Sequence, residues 1–424
     1  MTAALLSAAD LAVFDQQLTA TDRMLARQFP GDDGSRQPVH TVYVPADTYT
    51  SDLPRRWGAA AQAAIAEQGG IDAVLRSLQV PEAFAPDVAR LVTTKLEREP
   101  IEDLRLDFED GYGDRGRATE DADVCAAAKR LAAAHAEGSA PAFFGIRCKC
   151  FEAATRQRGI RSLDLFLSTL LDAGDLPDGL VLTLPKVSTV AQVEVMVQIC
   201  RRFEEHFGLT PGRLRFEVQV ETPQLILGPN GSSPLASAIH VAEGRVSGLH
   251  YGTYDYSASL GIAAAYQSME HPAADHAKQV MLVAAAQTGV RLSDGSTNIL
   301  PVGDAQAVDS AWQLSARLTR RSLERGYYQG WDLHPAQLVP RFIANTLFYR
   351  EGFASATTRL DNYLRGVESA VMDEPATARA LAAFVARGLA CGAVTADEIT
   401  ATGIETGALV ALAHPRFDAT QESA

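Results

Sequence analysis

The chain has 424 residues, 47% of them apolar, enough to bury a large core either as one barrel with appendages or as two domains. A formal charge of −14 argues against nucleic acid and anionic membranes as partners, and five cysteines, an odd number without zinc-type spacing, argue against a disulfide scaffold and point to the cytoplasm. Met1 to Gln17 carries acids in place of a basic leader and has no long apolar run, so neither a signal peptide nor a membrane span is expected.

In chain order, residues 1–35 read as a helical extension that ends in the turn-rich Gly31-Asp-Asp-Gly-Ser35. A short strand centred on Val42 follows. The crossover from about 53 to 100 is too long for one helix and is expected to hold two or three. Further strands centre on Leu106, Ile146, Leu182, Val218, Leu249, Arg291 and Trp331, recurring roughly every 30 to 42 residues, the length of a βα unit. Eight such units close a barrel. After the fourth strand, Thr189-Val-Ala-Gln192 reads as a capping box, and Val193, Met196, Val197, Cys200 and Phe203 keep helical spacing, the mark of a core-facing stripe. Beyond about residue 339 the chain reads as helices, including an alanine-rich one from Ala376 to Ala390. The expected organisation is an α/β protein: extension 1–35, (β/α)8 barrel 36–345, and helical lid and tail 346–424.

In a parallel barrel the chemistry sits where the strands end. On the second strand Leu104, Leu106 and Phe108 share one parity and Arg105, Asp107 and Glu109 the other, so Asp107, Glu109 and Asp110 meet at one strand mouth. Three acids there are costly to bury without a cation. The third strand turns Arg147 and Lys149 inward, and a guanidinium at that position suits bidentate capture of a substrate carboxylate. The fifth and sixth strands end near Glu221 and Asp255, a pair of hard oxygen donors suited to Mg²⁺ or Mn²⁺. His40 and His334 read as hydrogen-bonded structural residues, and Cys148 and Cys150 as buried packing.

Pro45 with Asp47, Asp107-Phe-Glu-Asp110, Arg147, Leu184-Pro-Lys186, Glu221-Thr-Pro223, Gly252-Thr-Tyr-Asp255, Asp294-Gly295, Gly330-Trp-Asp-Leu-His-Pro-Ala-Gln337 and Met372-Asp-Glu-Pro375 occur in one order over about residues 40 to 385. Together they resemble the HpcH/HpaI aldolase and citrate lyase β-subunit family, within the phosphoenolpyruvate/pyruvate-binding barrels. The resemblance implies a (β/α)8 TIM barrel and a divalent metal, Mg²⁺ or Mn²⁺, on Glu221 and Asp255. It also implies substrate binding by Arg147, Lys186, Gly252 and Thr253, with Asp107, Glu109 and Asp110 ordering the arginine and metal-bound waters. The activity it implies is carbon–carbon cleavage of a hydroxy-oxo acid through a metal-stabilised enolate. For the base, the acyl-CoA lyase branch uses an aspartate on a C-terminal lid, and Val371-Met-Asp-Glu-Pro-Ala-Thr-Ala-Arg379 resembles that segment, which makes Asp373 the candidate, with capping of the following helix as its other reading.

Around the first strand mouth no basic residue appears before Arg55 and Arg56, a departure from the CoA-using branch, so a free 2-oxo or hydroxy acid is the expected substrate. An acyl-CoA ester lyase of the citrate, malyl or citramalyl type is the alternative, and a non-catalytic binding subunit on the same barrel the third reading. A homo-oligomer, trimer or hexamer, is what the resemblance implies for assembly.

Overall fold

Each of the eight expected strand centres falls inside a strand of the computed structural model, which describes residues 5–366 and 374–414. The strands are β1 His40–Pro45, β2 Asp103–Asp107, β3 Phe143–Arg147, β4 Leu182–Leu184, β5 Phe216–Val220, β6 Val246–Tyr251, β7 Arg291–Ser293 and β8 Gly330–Asp332. All neighbours pair in parallel in the order β7-β6-β5-β4-β3-β2-β1-β8, and a bridge from Ser293 to Gln329 closes the circle. The result is a (β/α)8 barrel.

The two-residue period of the strands explains the layering. Leu104, Leu106, Ile146, Leu182, Val218 and Leu249 point outward and are buried under the helices. Their alternates fill the barrel with polar groups. Arg105 pairs with Asp103 and, at 3.0 Å, with Glu217; His250 Nε2 lies 3.0 Å from Glu217; and Thr183 Oγ1 donates to Glu217 at 2.6 Å. Removing these charges from water is tolerable because each has an opposite partner within bonding distance.

The first crossover holds three helices, Leu53–Glu67, Ile71–Ser77 and Ala85–Arg98. After β4 the helix Val190–Phe207 starts on the Thr189/Gln192 capping box and buries Val193, Met196, Val197 and Cys200. The extension is the helix Ala8–Gln28, which buries no side chain. At the other end, Leu338–Arg365, Pro375–Ala390, Ala396–Ala401 and Thr406–Ala413 build a second apolar cluster around Tyr349, Leu360, Val385, Ile399 and Leu409. Among the described residues no helix is long and apolar enough to cross a membrane.

Candidate active site

The C-terminal end of the barrel gathers the acids and bases that the strand parities turn inward. Arg147, at the end of β3, donates from Nε and Nη2 to the two oxygens of Asp107, at the end of β2, each at 2.7 Å. Asp107 also accepts from the backbone N–H groups of Glu109 at 2.9 Å and Gly111 at 2.8 Å, so two bonds fix the carboxylate and two hold the guanidinium in its plane. The face of Tyr43 from β1 lies 4.7 Å from the Arg147 carbon centre, and Nη1 stands 3.5 Å from Glu109. Nη1 is therefore the guanidinium nitrogen not taken up by Asp107.

Lys186 follows β4 in the left-handed region, φ 50°, a conformation uncommon for a residue with a Cβ. That bend aims its ammonium at Glu109, 2.5 Å away, and Asp110, 2.7 Å away, with Asp255 at 3.8 Å. Its backbone N–H donates to Glu221 at 2.9 Å. Burial lowers and the surrounding acids Glu221 and Glu109 raise the Lys186 pKa, and the net shift is upward, so it stays charged.

Glu221, just beyond β5, is 2% exposed. Its pKa is pushed up to about 8, by burial first and then by the nearby charges of Glu109 and Asp255, which Lys186 and Arg147 oppose. Glu109 is likewise raised by burial, and its Oε2 is buried without a hydrogen-bond partner. Asp110 is held below its usual value: burial acts upward, but the Lys186 ammonium outweighs it. Gly252 leaves room for Glu221, because a Cβ there would stand 2.4 Å from Glu221 Oε2. Thr253, next in the chain, has a buried hydroxyl with no partner.

The site thus brings together Asp107, Glu109, Asp110, Arg147, Lys186, Glu221, Gly252, Thr253 and Asp255. Asp373 lies outside the described residues. The residues that could hold a divalent ion are Glu221 and Asp255, both oxygen donors; among the described residues no three His, Cys, Asp or Glu groups converge on one point. A two-carboxylate set of this kind leaves the remaining positions to water and substrate. Glu221, buried and accepting from the Lys186 N–H, and Asp255 offer hard carboxylate oxygens, a donor set whose chemistry fits Mg²⁺ or Mn²⁺.

Several contacts were not legible in the sequence. Tyr43 links the site to the barrel interior: its hydroxyl donates to Glu217 at 3.2 Å while its ring backs Arg147. Only the inward parity of Tyr43 on β1 hinted at this. His40 is fully buried, its Nδ1 2.7 Å from Asp332 and its Nε2 accepting from the Glu102 N–H at 3.1 Å. His334 accepts from the Ala336 N–H at 3.2 Å and so caps the turn after β8.

A family model described as "Domain of unknown function (DUF6986)" matches residues 18–417. No curated protein matches the chain. Among solved structures, a citrate lyase from Burkholderia xenovorans LB400 aligns with a TM-score of 0.58 and 20% identity over 86% of this chain and 96% of that one. A malate synthase from Haloferax volcanii, a lead(II) complex, aligns with a TM-score of 0.48 and 14% identity over 92% and 93% of the two chains. A citrate lyase beta subunit from M. tuberculosis, complexed with oxaloacetate and magnesium, aligns with a TM-score of 0.41 and 16% identity over 74% and 98%. At 20% identity the first of these establishes a shared barrel fold and nothing finer.

Proposed function

The chain belongs to the DUF6986 family, and from the chemistry of its strand mouth we propose that it is a divalent-metal-dependent carbon–carbon lyase cleaving a free hydroxy-oxo acid. The observation that supports this reading is a pair of carboxylates, Glu221 after β5 and Asp255 after β6, both near the Lys186 ammonium, beside an Arg147 clamped on Asp107. Glu221 and Asp255 would hold Mg²⁺ or Mn²⁺, which when bound supplies Lewis-acid stabilisation of charge developing on the substrate's oxygens.

The chain's own residues do the rest. Arg147 offers Nη1 to the substrate carboxylate, and Asp107 fixes the plane in which it is offered. Lys186 neutralises Glu109 and Asp110 and keeps those acids from repelling an anionic substrate. Asp373 is the proposed base: it takes the proton of the substrate hydroxyl, the adjacent carbon–carbon bond breaks to an aldehyde, and the electron pair passes into the 2-oxo acid half, which takes up a proton and leaves. Gly252 and Thr253 line the substrate side of Glu221.

Arg55 and Arg56, the first basic residues after the first strand, both pair with Asp52, which supports a free acid over a CoA ester. The proposed assembly is a homo-oligomer, trimer or hexamer. Pyruvate, oxaloacetate and glyoxylate release from a panel of hydroxy-oxo acids and hydroxyacyl-CoA esters, with Mg²⁺ and with EDTA, tests the reading. Metal-dependent product from free acids that Glu221→Gln abolishes supports it. Product from thioesters alone selects the CoA-ester lyase, and no product from any member of the panel selects the binding subunit.

A further inference from the structure

A second concavity opens at the opposite end of the barrel. It has a volume of about 250 Å³ and is ringed by residues that begin the strands, such as Phe143, Arg215, Ser247 and Arg291. In this barrel class the N-terminal end is remote from the chemistry, so the cavity is distinct from the strand mouth above.

Its floor is electrically satisfied. Arg105, which is fully buried, answers Asp103 and Glu217, and His250 closes on Glu217 at 3.0 Å. Its rim is not. Arg291 donates mainly to neutral groups, the carbonyls of Arg36 and Ser35 and the Ser35 hydroxyl at 2.6 Å, with Asp33 at 3.5 Å. Arg213 donates to the carbonyls of Leu176 at 2.7 Å and Pro177 at 2.6 Å, and the carboxylate it pairs with among the described residues, Asp178, is 3.8 Å away and open to solvent. The Arg215 guanidinium has no hydrogen bond or ion pair among the described residues. Burial and the charges of Arg215 and Arg387 hold Arg291 below its usual pKa against the pull of Asp32 and Asp33.

Three guanidinium groups therefore face one small cavity, where beyond the floor's paired acids the lining carboxylates are Asp33 and Asp178, both open to solvent, on a chain whose net charge is −14. Guanidinium forks match oxyanions in geometry as well as in charge. We propose that the N-terminal mouth of the barrel binds a small polyvalent oxyanion, a phosphate or a polycarboxylate, on Arg213, Arg215 and Arg291.

Isothermal titration of the full chain at low ionic strength, with inorganic phosphate in one arm and tricarballylate in the other, tests this. The expected result is saturable 1:1 binding in at least one arm, weakened tenfold or more by Arg215→Ala, abolished by Arg215→Glu and kept in Glu221→Gln. Binding of phosphate alone identifies a phosphate site, and of tricarballylate alone a polycarboxylate site. The Arg215 side chain is exposed and unpartnered, so both variants are expected to fold, which circular dichroism checks. No saturable binding in either arm, affinity unchanged in Arg215→Ala, or loss of binding in Glu221→Gln overturns the proposal.

Discussion

The Arg147–Asp107 pair is expected to be energetically coupled, and a double-mutant cycle measures how strongly. Asp107→Asn replaces one accepting oxygen with an NH2 group facing a donor, and leaves Arg147, 7% exposed, without its counter-charge. Removing one partner of a buried pair costs about 3–5 kcal/mol. Arg147 keeps the ring of Tyr43 at 4.7 Å and Glu109 at 3.5 Å, so the lower end applies, about 3 kcal/mol. Urea unfolding of wild type, Asp107→Asn, Arg147→Met and the double variant should give a coupling energy of about 2 kcal/mol, because the second change costs little once the first is made. Additivity of the two single effects to within about 0.5 kcal/mol would refute the reasoning, since the two bonds between Arg147 and Asp107 would then contribute no coupling.

Other outcomes follow from the same geometry. Gly252→Ala places a Cβ 2.4 Å from Glu221 Oε2, so it should displace that carboxylate and weaken Mn²⁺ binding at least tenfold while costing about 1–3 kcal/mol of stability; a titration beside an unfolding curve reads both. Burial acts to raise Glu204, but Arg245, bonded at 2.6 and 2.8 Å, and the N–H groups of Leu214 and Gly212 hold it below its usual value. The stability from this depressed carboxylate is present above the unfolded value of 4.5 and lost as pH falls through the folded one, so Glu204→Gln should flatten the acid limb of a stability–pH profile and lower the neutral plateau. Burial pushes the Cys148 and Cys200 thiols up to about 12, so iodoacetamide at about pH 8 should leave both unlabelled in the native protein, as peptide mass spectrometry would show.

Much of the barrel was legible because a strand buried against helices repeats every two residues whatever lies far along the chain. Leu104 and Leu106 against Arg105 and Asp107 showed both the strand and which side faced inward. The capping box at Thr189 was equally local. Partnerships were not legible, since they join residues distant in sequence: Arg105 finds Glu217 across 112 positions, and Tyr43 backs Arg147 from another strand. The same limit hid the N-terminal mouth, where Arg213 and Arg215, just before β5, meet Arg291 from the start of β7. The extension was expected to be helical, yet nothing local tells that Ala8–Gln28 buries none of its side chains.

The most direct test of the account is Mn²⁺ binding followed by the loss of the free-ion electron paramagnetic resonance signal. One ion per chain should bind in the wild type, competed by Mg²⁺, and binding should fall at least tenfold in both Glu221→Gln and Asp255→Asn. Equal binding in wild type and both variants would contradict the assignment of these two carboxylates and the lyase chemistry built on them.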